Sequence, residues 1–201
     1  MTKTSSAAAR DAAIECVRED IERAETLAVA VPDPWYRAQA LAWVARYAPE
    51  SEVSRLAQLA LAAAADCADA YLQAAGSAWV LRALMERNRR DEALAMLELV
   101  LPSVPRIVPA ASRSEALFLL LQAMFASGTE VRRSLLFALA SACDADPHWR
   151  IERNFRDALV LMQPVDPEFV RTMARGRDAA TQGRLERALA GDATTPRVFF
   201  W

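Results

Sequence analysis

Apolar positions along this chain fall at helical spacing. Ile14, Val17, Ile21, Ala24, Leu27, Ala28 and Val31 share one stripe, while Asp11, Glu15, Glu19 and Glu22 take the other face. That pattern predicts one amphipathic helix over 8–31. Pro32-Asp33-Pro34 closes it, because proline supplies no N–H to the hydrogen-bond ladder. Further helical patterns follow in pairs: 34–47 with 51–67, 69–88 with 91–101, 110–126 with 129–142, and 147–162 with 166–174. Prolines and short polar turns separate them, so neighbouring helices are expected to run antiparallel and in contact. A weaker helix over 177–190 ends before Gly191, a residue suited to a helix C-cap. A short polar linker then leads to Val198-Phe199-Phe200-Trp201. No stretch shows the sustained alternation of a strand. The expected organisation is one all-α domain over 1–192: a capping helix at 8–31, four helix pairs over 34–175 and a capping helix at 177–190. Residues 193–201 form an aromatic tail.

The pairs repeat one another. Arg37-Ala38-Gln39-Ala40-Leu41-Ala42-Trp43-Val44-Ala45 moved by 36 residues meets Gln73-Ala74-Ala75-Gly76-Ser77-Ala78-Trp79-Val80-Leu81. Two further steps of 40 residues reach 113–121 and 153–161. One polar column holds Arg37, Gln73, Arg113 and Arg153. An apolar column holds Val44, Val80, Leu120 and Val160, and a small column holds Ala40, Gly76 and Ala116. A period of this length, with two helices in each unit, is the signature of stacked helix pairs.

The stretch Asp33-Pro34-Trp35-Tyr36-Arg37-Ala38-Gln39-Ala40-Leu41-Ala42 resembles the first helix of degenerate tetratricopeptide-type repeats in bacterial proteins. In those repeats a D-P-aromatic-x-R-A-x-A-L stretch opens the helix pair. Residues 88–94 resemble the turn and second-helix start of the same repeats, and Ala93, Leu97, Val100 and Pro105 follow the consensus spacing. Ser77, Val80-Leu81 and Leu84 stand where the consensus has Trp, Leu-Gly and Tyr, so HEAT-like repeats are the alternative. The resemblance covers about residues 30–175. It implies an α-solenoid, a right-handed superhelix of antiparallel helix pairs, acting as a protein-binding scaffold whose first helices line the concave groove.

Composition narrows the classes. Hydrophobic residues make up 54% of the 201, with only 5 glycines, which excludes a disordered chain. A net charge of -2 argues against a general nucleic-acid binder, which needs a clustered basic face. Lys3 is the only lysine among 24 basic residues, a bias that, with the alanine richness, points to a GC-rich bacterial genome. Cys16, Cys67 and Cys143 are odd in number and scattered, as expected of buried reduced thiols in a cytoplasm. The polar start, residues 1–10, has no apolar core of a signal peptide. The most apolar segment, 116–126, is interrupted by Gln122 and too short to span a bilayer. It reads as a central core helix.

Catalysis and metal binding find little support. His148 is the only histidine, beside Pro147 and Trp149 at a helix start, and reads as structural. Cys143 and His148 have no second close pair of ligands to complete a tetrahedral site, and no glycine-rich phosphate loop is present. No cofactor is therefore expected. The sharpest candidate site is the column Arg37, Gln73, Arg113 and Arg153. In register it would form a ladder able to clamp an acidic peptide or the C-terminus of another protein. Against that stands the plainer reading, arginines at solvated edges paired with nearby carboxylates. Trp43 and Trp79 share a repeat column and are expected in the core, whereas Trp35 and Tyr36 sit at a helix start as better candidates for exposed anchors. Phe199, Phe200 and Trp201 are too apolar to hang in water, and would dock on the last helix pair, on a second copy or on a partner. The function expected is non-enzymatic: an adaptor binding a protein or peptide. The alternatives are a homo-oligomer joined through the tail and a nucleic-acid-binding helical repeat, though neither nucleic acid nor membrane is an expected partner.

Overall fold

Short polar side chains set the helix starts. Ser5 accepts a hydrogen bond from the N–H of Ala8, Asp20 from Arg23, Asp33 from Trp35 and Asp69 from Leu72, at 2.8–3.2 Å. Each satisfies a donor that the first helical turn leaves without a partner. The computed structural model describes residues 5–145, 148–175, 179–192 and 197–200. Among them are eleven α-helices and no strand, so the chain is all-α. Its internal contacts divide it into two compact units, 1–107 and 108–201, where the sequence predicts a single array.

The first unit contains α1 (Ser6–Cys16), α2 (Ile21–Val29), α3 (Pro34–Tyr47), α4 (Val53–Ala65), α5 (Ala70–Glu86) and α6 (Arg90–Val100), with 3-10 turns at Glu50–Glu52 and Leu101–Arg106. The helix expected over 8–31 is two helices, α1 and α2. Asp20 has extended backbone, φ -147° and ψ 94°, and caps a new helix. The apolar stripe hides the break, because Ala13 and Val17 before it and Ala24, Ala28 and Val31 after it are all buried. Helix α3 packs on α1 and α5, α2 backs α1 and α3, and α4 backs α3 and α5. First helices therefore pack side by side, each pair closed by its second helix.

The repeat columns explain this packing. Val44 and Val80 are fully buried, as are Ala40 on α3 and Ala78 on α5. A Cβ at Gly76 would lie 3.1 Å from the Cβ of Ala64 on α4 and 3.8 Å from that of Ala38 on α3. At Gly76 of the small column, α3, α4 and α5 thus approach one another closely. Between α5 and α6, Asn88 takes φ 58°, the left-handed conformation that asparagine tolerates at helix ends. The N–H of Arg89 bonds back to the carbonyl of Leu84 at 2.9 Å. From this turn Arg87 donates to the carbonyls of Arg46 and Ala48 at 3.0 and 2.7 Å, closing the end of α3, and pairs with Glu50 at 2.9 Å.

The second unit contains α7 (Ala110–Ala123), α8 (Thr129–Ala145), α9 (Trp149–Met162), α10 (Pro167–Arg175) and α11 (Ala179–Arg187), with a 3-10 turn at Phe125–Ser127 and a π turn at Ala188–Asp192. The central core helix is α7, in which Phe118, Leu119, Leu120 and Leu121 are all buried. Helix α7 packs against both α8 and α9, repeating the arrangement of the first unit. Arg133 on α8 grips Asp166 at the start of α10 through two bonds of 2.6 and 3.0 Å.

Candidate peptide-binding groove

The polar column divides between the two units, and its members do different work. Arg37 donates to the carbonyl of Val31 at 3.3 Å and pairs with Asp66 at 3.2 Å. Gln73 donates to the carbonyls of Ala65 and Cys67 at 3.2 and 3.0 Å. Both therefore close the C-terminal end of the preceding helix, a role that spends their donors on backbone. In the second unit Arg113 is half-buried on α7. Arg153 lies on α9 with its guanidinium 5.3 Å from the ring centre of Trp149.

The aromatic residues also depart from their expected places. Trp43 and Trp79 are half-buried rather than in the core. Trp43 stacks on Tyr47 at 5.9 Å with Arg46 over both rings, because Arg46 is held there by Glu86 at 2.6 Å. Trp35 is half-buried, and Tyr36 is covered by the guanidinium of Arg10 at 5.3 Å, which also bonds Gln39 at 3.0 Å. Trp149 is open to solvent, 63% exposed. His148 caps α9: its Nδ1 accepts the N–H of Arg150 at 3.2 Å.

The tail lies on α9, the first helix of the last pair, and equally on α7 of the pair before it. The reason is a line of buried polar groups drawn from both helices. Ser114 and Gln122 on α7, and Asn154 and Asp157 on α9, are each under a tenth exposed. Ser114 donates to the carbonyl of Ala111 and accepts from the Asn154 Nδ2, both at 2.8 Å. This fixes the Asn154 side chain with its oxygen directed at the tail, where it accepts from the Arg197 guanidinium. Arg156 occupies one oxygen of Asp157 at 2.9 Å, and the other lies 3.8 Å from the Nε of Arg197.

Gln122 reads the main chain. Its Nε2 donates to the carbonyl of Arg197, and its Oε1 accepts the N–H of Phe199 at 3.4 Å. In an extended segment the carbonyl of one residue and the N–H two residues on lie along the same edge, so one amide spans both. Phe199 meets Phe118 edge to face at 6.0 Å, and the Arg197 guanidinium covers its outer face at 4.8 Å. Val198 between them is 74% exposed, as alternation along an extended segment requires. Phe200 is half-buried, and Trp201 lies outside the described residues.

Electrostatics around the tail are mixed. Burial, with the nearby Arg153 guanidinium adding to it, holds Arg197 below its ordinary value, while Glu115 and Asp157 oppose that effect. The Arg197 Nε is buried without a hydrogen bond. Beyond the groove, a cleft of about 260 Å³ includes Trp149, Arg153, Arg156, Thr181 and Arg184 in its wall. Arg184 is engaged there by Glu152 and Thr181 at 3.1 and 2.8 Å.

Gln122 left a trace in the sequence. It interrupts the most apolar run of the chain, and Asn154 and Asp157 stand one helical turn apart on one face of α9. Among the described residues no group of three His, Cys, Asp or Glu side chains could hold a metal ion, and no helix is long and apolar enough to cross a membrane. Comparison with protein-family models, with curated proteins and with solved structures finds no match.

Proposed function

We propose that this chain is a non-enzymatic adaptor that binds extended peptide segments of partner proteins on the α7–α9 face. In this reading the helix pairs belong to a tetratricopeptide-like α-solenoid of a cytoplasmic bacterial protein, as the recurring columns and the side-by-side first helices of each unit suggest. The carrying observation is the Gln122 amide holding both the Arg197 carbonyl and the Phe199 N–H. Main-chain bonds of this kind give affinity independent of sequence, while side-chain pockets beside them supply specificity. Arg37 and Gln73 are assigned to helix closure, and the binding role passes to α7 and α9, on which Arg113 and Arg153 also stand.

A displayed library of random peptides selected on a chain ending at Asp192, with helicity matching the full chain, tests this reading. Enriched peptides should compete with a synthetic peptide of residues 193–201 and lose binding to the Gln122→Leu form. No enrichment, or enrichment indifferent to both, would remove the assignment.

A further inference from the structure

We propose that the α7–α9 groove selects segments of other proteins that carry an arginine two residues before an aromatic, and that residues 197–199 are an internal stand-in which such a segment displaces. This rests on the peptide-binding reading above and adds its specificity and its control. Three features of the groove define the ligand.

The arginine requirement comes from Asn154. It is 1% exposed, and Ser114 engages its amide nitrogen, so its oxygen is a fixed buried acceptor. Without a donor that acceptor is left unpaired in a site of low polarity. Asp157 lies beside it with one oxygen taken by Arg156, so the pair presents an amide oxygen and a carboxylate oxygen to one cation. Guanidinium, with several donors in a planar fork, suits two acceptors better than an ammonium does. The aromatic requirement comes from Phe118, fully buried in α7 and meeting its partner ring edge to face. The residue between is free, since Val198 faces water.

The stand-in fits the groove incompletely. The Arg197 Nε makes no hydrogen bond, Arg153 stands near enough to oppose its charge, and the Phe199 N–H reaches Gln122 only at 3.4 Å. Its advantage is attachment: a tethered segment competes at an effective concentration that a free peptide must match. A partner segment that completes the missing bonds can therefore replace it.

The test uses the full-length protein and a fluorescent peptide of residues 193–201, followed by polarisation. Arg197→Ala/Phe199→Ala in the full-length protein frees the groove without touching α7 or α9. The peptide should bind this variant about tenfold or more tighter than it binds wild type, because the tethered competitor is gone. Replacing the peptide's arginine or its first phenylalanine by alanine should each weaken binding about tenfold, and replacing its valine should change little. These peptide changes leave the protein's folding untouched. Equal affinity for wild type and variant would overturn the stand-in, and indifference to the arginine or the phenylalanine would overturn the specificity while leaving peptide binding in place. Failure of every peptide on both proteins would remove the peptide-binding reading itself. Sedimentation of the same two proteins gives the remaining outcome. A wild-type dimer lost in the variant would assign the groove to a second copy and overturn the proposal.

Discussion

Arginine is the main polar tool of this protein, and most of its arginines have defined structural tasks. Arg37 and Arg87 close helix ends by donating to carbonyls that a helix cannot satisfy internally. Arg133 ties two helices through Asp166. Its guanidinium holds the Asp166 carboxyl below the ordinary aspartate range, with the N–H of Phe169 adding to the effect. A carboxyl whose value falls on folding stabilises the folded state above the unfolded value of about 3.9, and that contribution is lost as pH drops through the lowered folded value. Asp166→Asn should therefore lower the melting temperature at pH 7. The difference from wild type should shrink steadily below about pH 4. A difference independent of pH, read by circular dichroism, would assign the effect to packing rather than charge. Cys67 shows the opposite influence: burial pushes its thiol up to about 11, in keeping with an inert structural cysteine.

At the scale of elements, periodicity shows which residues point inward but not where a helix stops. The stripe from Ile14 to Val31 stays in phase across the α1–α2 break, so only the cap at Asp20 marks it. Asp20→Ala removes that cap and should cost about 1 kcal/mol, measured by thermal or urea unfolding. No loss of stability would mean that packing alone sets the break. The same limit applies to the aromatics. Trp43 and Trp79 share a buried column by spacing, yet a large ring at a helix edge reaches beyond the core and rests half in water. The small column was legible because its demand is local. Gly76 stands where its own Cβ would crowd Ala64, and residues 36 and 40 positions away are alanine. Gln122 was visible as a polar interruption of the most apolar run, whereas Asn154 and Asp157 carry no such mark in the sequence. The convergence of the three was not legible, because it depends on the rotation of α9 against α7, which no spacing along one helix encodes.

For the molecule as a whole, the all-α class and the side-by-side order of first helices follow from the repeat, while the division at residue 107 into two compact units does not. The repeat predicts equal neighbours; the contacts group three helix pairs before that point and the groove-bearing helices after it. The second unit is where a polar line buried in an apolar core meets an extended segment, and the functional reading depends on that meeting. Calorimetric titration of the 193–201 peptide into a protein ending at Asp192, and into its Gln122→Leu form, tests it most directly. The account predicts saturation at one site and binding weakened about tenfold when the amide is lost, leucine keeping the volume but not the two bonds. No heat of binding, or the same affinity in both forms, would contradict it.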